Sequence, residues 1–139
     1  MQMPLYPMLS SRTFGSSAGN DAPVWNTRSN ETAWDLYLAG KEPDQYASPS
    51  LAEDYSELPP TITFVGTIEP FYDETVRYVE NLRAAGVKTA FKVYKGCYHG
   101  FDIVAPYAEV SRDARRFLRE HFAYGAAHFF AAQPEEYER

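Results

Sequence analysis

The stretch from Thr61 to Asp102 constrains the fold of this chain most strongly. It contains two short runs rich in β-branched and aromatic residues, 61–65 and 89–94, and a glycine follows each run within two residues. Such runs predict buried strands. Apolar residues recur at helical spacing between them, which predicts one helix. A strand, a helix and a strand in so few residues predict a right-handed crossover that joins two parallel, neighbouring strands.

The predicted helix has sequence signals at both ends. Asp73 is a candidate N-cap, and Glu74 adds negative charge to the first turn. Gly86 supplies a C-terminal stop. Residues of these types are typical of these positions because they satisfy free backbone groups or permit the left-handed conformation that ends a helix.

Polar side chains follow both strands. The acidic loop, residues 67–71, carries Glu69, and the histidine loop, residues 95–100, carries His99. Because ligands of open α/β sheets gather at the carboxyl ends of the strands, we expect an acid and a histidine to meet at this edge. A carboxylate that accepts a proton from imidazole Nδ1 fixes the tautomer and leaves Nε2 free as a general base. Asp73 is a second carboxylate near the same strand end.

Two segments, GTIEPFYDE and KVYKGCYHGF, carry a resemblance to the hormone-sensitive-lipase-like esterases, the third family of the α/β-hydrolase fold. Those enzymes have a pattern similar to G-x-x-D-P-L-x-D-E, followed by V-x-x-Y-x-G-x-x-H-G-F. The resemblance implies that Glu69 stands in place of the family's catalytic aspartate and that His99 is the catalytic base. It favours Glu69 over Asp73 as the partner of the histidine.

The N-terminal segment MQMPLYPML begins with apolar residues and predicts a strand over Met3 to Leu9. It resembles an interior strand of the family, one that follows the nucleophile strand and its helix. The resemblance therefore implies a partial α/β-hydrolase fold: parallel strands flanked by helices, without the N-terminal half of the sheet. We expect residues 1–122 to form this C-terminal part of the domain and residues 123–139 to form an extension.

Residues Gly15 to Gly19 match the G-x-S-x-G pattern of a nucleophile elbow, with Ser17 at its centre. A working elbow needs a strand before the first glycine and a helix after the last. Here the surrounding residues predict a loop, and the family places its nucleophile before the YPML-like strand. We therefore favour a fortuitous match. An HGGG-like oxyanion loop is also absent from the sequence.

Other elements are predicted less directly. Asn30 is a candidate cap for a helix over Glu31 to Leu38, and a long helix is expected from Pro106 to about Phe122. Trp25 and Trp34 could line an acyl pocket, although packing in the core is the preferred interpretation because large rings dominate burial.

The net charge of −6 and the pI near 5.0 argue against a nucleic-acid partner and against an anionic membrane surface. The single cysteine, Cys97, excludes an internal disulfide and fits a reducing, cytoplasmic location. We interpret Cys97 as a small apolar filler. No cofactor or metal is expected, since His121 and His128 lack a second pair of ligands.

Two classes of function follow from these patterns. In the first, the chain is the C-terminal segment of a carboxylic-ester hydrolase. It is inactive alone, and a separately encoded N-terminal half supplies the nucleophile. The completed enzyme then binds a small-molecule ester as its substrate. In the second, the chain is a catalytically inactive truncated module that forms a homodimer or pairs with a partner through an exposed sheet edge. A less favoured third hypothesis makes Ser17 the nucleophile of a miniature hydrolase.

Overall fold

The computed structural model describes residues 1–129, which form a small parallel sheet and four α-helices. The strands are β1 (Thr61–Gly66) and β2 (Thr89–Tyr94), and the helices are α1 (Thr27–Leu38), α2 (Tyr72–Ala84), α3 (Phe101–Val104) and α4 (Glu109–His128). β1 and β2 pair in parallel, with Thr61 opposite Thr89 and Gly66 opposite Tyr94. The predicted strand, helix and strand with parallel pairing are therefore confirmed.

The prediction of a third strand at Met3–Leu9 is wrong. The N-terminal segment does run parallel to β1, but it forms a single bridge, between Gln2 and Thr61. Pro4 and Pro7 have no N–H to donate, so a continuous ladder cannot form over this segment.

Alternate backbone groups of the N-terminal segment nevertheless contact β1. Gln2 accepts from the amide of Ile62 at 3.0 Å. The amide of Tyr6 donates to the carbonyl of Phe64 at 3.0 Å, and Tyr6 adopts a φ of 36°. The segment thus lies beside β1 in the place predicted for a strand, without strand geometry over its length.

All six residues of β1 are buried. The core contains two clusters of buried side chains. One cluster includes residues of α2, and the other includes residues of α3 and α4. The first contains Leu9, Tyr55, Tyr78, Leu82 and Val87. The second contains Phe64, Tyr94, Cys97, Phe101 and Ala114. The helices thereby hold β1 and β2 firmly, which positions the loops that follow the two strands.

The boundaries of α1, α2 and α4 differ from the sequence-based expectations. α1 begins at Thr27, because Asn26 and not Asn30 is the N-cap, and its side chain accepts from the amide of Ser29 at 3.0 Å. α2 begins at Tyr72, so Asp73 lies inside its first turn and is not the N-cap; Phe71 holds that position, and the Asp73 carboxylate is bonded to Ser16 instead. α4 begins at Glu109 and not at Pro106, and it continues past the expected end at residue 122 to His128.

Residues 130–139, which hold most of the predicted C-terminal extension, lie outside the described part of the chain. Within residues 1–129, none of the helices combines the length and the apolar character that a membrane crossing requires.

Candidate active site

Glu69 and His99 lie in hydrogen-bond contact, as their places at the ends of β1 and β2 predict. His99 Nδ1 is 2.9 Å from Glu69 Oε2. The other oxygen of Glu69, Oε1, accepts from the amide of Gly66 at 2.7 Å. Glu69 is fully buried, whereas the side chain of His99 is 21% exposed. The imidazole is therefore fixed at Nδ1, and Nε2 makes no hydrogen bond within residues 1–129.

The acidic loop and the histidine loop are joined by their backbones. The amide of Thr67 donates to the carbonyl of Tyr94 at 3.1 Å, and the amide of Ile68 donates to the carbonyl of Cys97 at 3.2 Å. In return, the amide of Gly96 donates to Thr67 Oγ1 at 2.8 Å. Because these bonds bind one loop to the other, the distance between the acid and the histidine does not depend on side-chain contacts alone.

Gly66 permits this close approach. A Cβ atom at this position would lie 2.1 Å from the carbonyl oxygen of Cys97, a distance that no real side chain tolerates. The contact is with backbone, which cannot rotate away as a flexible side chain could. A glycine at the end of β1 is therefore required for the acidic loop and the histidine loop to pack together.

Three aromatic rings surround the imidazole of His99. The ring of Tyr6 is edge-on with its centroid 4.6 Å from that of His99. Phe71 is 5.2 Å away in a similar orientation, and Trp25 lies 5.7 Å away at a tilt of 43°. Phe71 is buried, whereas Tyr6 and Trp25 are partly exposed. These rings restrict the orientation of the imidazole and form an apolar surface around it.

Burial and the nearby carboxylate of Asp102 raise the pKa of Tyr6 to about 12, so its hydroxyl stays protonated at neutral pH. Burial also raises the pKa of the Cys97 thiol. A thiol with a raised pKa is a poor nucleophile. Cys97 packs in an apolar cluster and forms no disulfide, which agrees with its interpretation as a core residue.

Asp73, the alternative partner of the histidine, is bonded elsewhere. Its carboxylate Oδ2 accepts from the amide of Ser16 at 2.7 Å. Ser16 Oγ in turn accepts from the amide of Asp73 at 2.9 Å and donates to the carbonyl of Pro70 at 2.8 Å. Ser16 thus satisfies a free N–H in the first turn of α2, and Asp73 links this turn to the glycine–serine loop, residues 10–20.

Ser17 is held inside its own turn. Its Oγ donates to the carbonyl of Phe14 and accepts from the amide of Phe14, both at 2.9 Å, and the residue is 1% exposed. Residues Gly15–Ser17 form one turn of 3₁₀ helix, and neither a strand before it nor an α-helix directly after it is present. The described structure therefore lacks the geometry that presents a nucleophile above a sheet.

The two tryptophans occupy different surroundings. Trp25 contacts His99 and Phe71, whereas Trp34 is 5% exposed within α1 and packs against Tyr37. The sequence patterns do not single out Tyr6 or Phe71 as neighbours of the histidine. The only available signal is that Tyr6 belongs to a segment predicted as a strand of the same parallel sheet.

Comparisons with known proteins identify the fold. A family model described as alpha/beta hydrolase fold matches residues 1–103. The structure is similar to the esterase LipW from Mycobacterium marinum, with a TM-score of 0.83 and 29% identity over 93% of this chain and 41% of that chain. It is also similar to an esterase from Pyrobaculum calidifontis, with a TM-score of 0.75 and 26% identity over 90% of this chain and 43% of that chain.

A protein named Esterase from Acinetobacter venetianus is 38% identical over 60 residues, which are 43% of this chain and 20% of that protein. The family model covers well over half of this chain. The chain therefore belongs to the alpha/beta hydrolase fold family. It spans about two-fifths of the length of the two esterase structures and one-fifth of the length of the Acinetobacter protein.

Proposed function

We propose that this chain supplies the acid and the base of a serine carboxylesterase and that the nucleophile lies outside it. The contact that supports the proposal most directly is the 2.9 Å pair between His99 Nδ1 and Glu69 Oε2, with the carboxylate fully buried. The similarity to esterases supports the reaction class. The enclosed position of Ser17 supports a nucleophile from another segment.

The mechanism follows from this pair. Glu69 accepts the Nδ1–H of His99, so Nε2 carries the lone pair that removes the proton from a serine hydroxyl. The serine oxygen attacks the ester carbonyl, and the buried carboxylate stabilises the imidazolium that forms. His99 then gives the proton to the departing alkoxide, which leaves an acyl-enzyme and a free alcohol. A water molecule, deprotonated by the same Nε2, releases the carboxylic acid and restores the serine.

A second candidate, an inactive module that pairs through its sheet edge, has its own supporting observation. Groups of Gln2, Pro4 and Tyr6 bond toward β1, whereas the amides of Met3 and Leu5 have no hydrogen-bond partner within residues 1–129. Unpaired edge groups recruit another strand. A second copy or a separately encoded N-terminal half would satisfy them, and both candidates therefore use the same edge.

The reaction as written uses side chains and water alone. We further propose a cytoplasmic location, which the free thiol of Cys97 supports because reducing compartments keep thiols unpaired.

The test is hydrolysis of p-nitrophenyl butyrate by the chain alone and by the chain co-purified with the product of the reading frame directly upstream. We expect the chain alone to match its His99→Ala variant. We expect the pair to hydrolyse the ester and to lose activity by about 10⁴-fold with Glu69→Gln, because the amide favours the wrong tautomer of the histidine.

Sedimentation of the same samples separates the two candidates. A complex that forms but remains inactive, or a homodimer of the chain alone with no hydrolysis in any sample, supports the inactive module. Hydrolysis by the chain alone that both Ser17→Ala and His99→Ala abolish would contradict the external nucleophile. Activity of the pair that survives His99→Ala would contradict the assigned base.

A further inference from the structure

The loop that leads into α1 contains a strained turn next to His99. The amide of Trp25 donates to the carbonyl of Pro23 at 2.9 Å, and the residue between them, Val24, has a φ of 72°. A bond from residue i+2 to residue i around a positive φ defines the rarer, strained form of γ-turn. A β-branched residue in this region is a true conformational outlier.

A second unfavourable feature lies at the adjacent residue. The indole Nε1 of Trp25 is buried and has no acceptor within residues 1–129, a feature that it shares with Trp34; only at Trp25 does it adjoin a residue with a strained φ. A buried donor without a partner destabilises the folded state. Strained or unsatisfied groups persist where the surrounding structure imposes them, and they concentrate at ligand sites. Val24 and Trp25 combine both kinds of strain beside the proposed base.

The surrounding bonds explain how the turn is maintained. Asn20 Nδ2 donates to the carbonyls of Ser16 and Ile68, at 3.0 and 3.1 Å, which fixes the loop before the turn to the acidic loop. After the turn, Thr27 Oγ1 donates to the carbonyl of Ser17 at 2.7 Å and accepts from the amide of Asn20 at 2.7 Å. The loop is therefore anchored on both sides of Val24 and has little freedom to relax.

The anchored turn holds the indole against the site. The ring of Trp25 lies 5.7 Å from His99 and 6.1 Å from Phe71, and it remains partly exposed. The adjacent residue, Val24, is 54% exposed. An indole that served core packing alone would be enclosed as Trp34 is. The partly exposed indole instead extends the apolar surface around the imidazole.

We propose that Trp25 is a specificity-determining residue, the wall of a subsite for a planar aromatic group of the ester. The proposal rests on the proposed function, because His99 must be the base for a group on this wall to place its carbonyl near the reacting atoms. Aromatic rings gain more from contact with another ring than from burial of the same area against an aliphatic group. The chain therefore favours aryl esters over alkyl esters of similar size.

The test uses a probe that has no bond to cleave. 4-Nitroanisole is titrated into the full chain, and binding is followed by the NMR shift of the His99 Cε1–H proton. Cyclohexyl methyl ether, which has a ring of similar size without π-electrons, is the comparison ligand. We expect a saturable shift with 4-nitroanisole and binding about three- to tenfold weaker with cyclohexyl methyl ether.

Two variants locate the subsite. Trp25→Leu is expected to weaken binding of 4-nitroanisole about three- to tenfold and to remove the preference for the aromatic probe. Trp34→Phe changes the tryptophan that is distant from the histidine and serves as the matched control with unchanged binding. The comparison of the two ligands on the unaltered chain needs no variant, so it decides the question even if Trp25→Leu does not fold.

Equal binding of both ligands, no saturable shift, or unchanged binding by folded Trp25→Leu would overturn the proposal. These outcomes are independent of the triad, because the probe contains no ester. Aromatic-selective binding together with an inactive co-purified pair would refute the esterase function and leave a binding site at Trp25. Hydrolysis by the pair without aromatic selectivity would refute only the role of Trp25.

Discussion

Two loop regions of this protein carry motif-like residues, and only one of them brings an acid and a histidine into contact. In the acidic and histidine loops, local hydrogen bonds fix one end of each functional side chain and leave His99 Nε2 free. In the glycine–serine loop, residues 10–20, the same kind of local bonding engages the Ser17 hydroxyl completely. The difference teaches that a motif performs chemistry only when the strand beneath it supplies a rigid base and directs the reactive atom outward.

The largest expected effect comes from a methyl group at the junction of the acidic and histidine loops. Gly66→Ala places Cβ against the Cys97 carbonyl, so we expect a loss of about 3 kcal/mol in the free energy of unfolding. Gly19→Ala in the glycine–serine loop is the control, because a Cβ there meets nothing within 4 Å. Its positive φ of 63° predicts a cost of about 1 kcal/mol. Equal losses in urea denaturation would contradict the special role of the junction.

A smaller effect, which depends on pH, is expected at Glu74. Its Oε1 accepts from the amide of Leu9 at 2.7 Å, but its buried Oε2 has no partner within residues 1–129, unlike Glu69, whose two oxygens are both bonded. Burial raises the pKa of Glu74 to about 7. Because the folded-state pKa lies above that of the unfolded chain, the folded state holds the proton more tightly. The free energy of unfolding therefore falls as the pH rises from the pKa of Glu74 in the unfolded chain to its pKa of about 7 in the folded chain.

Glu74→Gln removes this titration. We expect the variant to match the unaltered chain near pH 5 and to exceed it by about 2 kcal/mol in free energy of unfolding at pH 8.5. Glu80→Gln, on the exposed face of the same helix, is the control and should show no such divergence. A stability difference that stays constant between these two pH values would show that Glu74 does not titrate in this range.

The smallest expected effect is at Ser17. Ser17→Ala removes the two hydrogen bonds to the backbone of Phe14, and we expect a loss of about 1 kcal/mol in the free energy of unfolding. We expect no change in hydrolysis by the co-purified pair, because the Ser17 hydroxyl bonds only the backbone of Phe14 in the same turn within residues 1–129. Thermal melting and the p-nitrophenyl butyrate assay measure the two quantities on one sample. A loss of hydrolysis at unchanged melting temperature would reassign Ser17 to the chemistry.

The parts of the fold that the sequence predicted are those in which local pattern and tertiary position agree. β1, α2 and β2 have clear periodicity, and parallel pairing then places Glu69 and His99 at one edge. The third strand fails because an apolar run predicts burial and not a continuous ladder, and Pro4 and Pro7 interrupt the ladder.

The remaining differences depend on contacts between distant segments. Asn26 and Asn30 are equally good caps by residue type, and only the path of the preceding loop decides between them. The rings of Tyr6 and Trp25 reach His99 from segments more than seventy positions earlier in the chain, and periodicity carries no information about such contacts.

The tight junction at Gly66 has a practical consequence for protein engineering. The hydrogen bonds that join the acid to the base, and the acidic loop to the histidine loop, all lie within residues 66–99, so this contact need not await the segment that carries the nucleophile. We expect this unit to tolerate physical separation from such a segment and to regain turnover on contact with it. That property would suit a split-enzyme reporter, in which the meeting of two fused proteins is read as the release of a coloured alcohol.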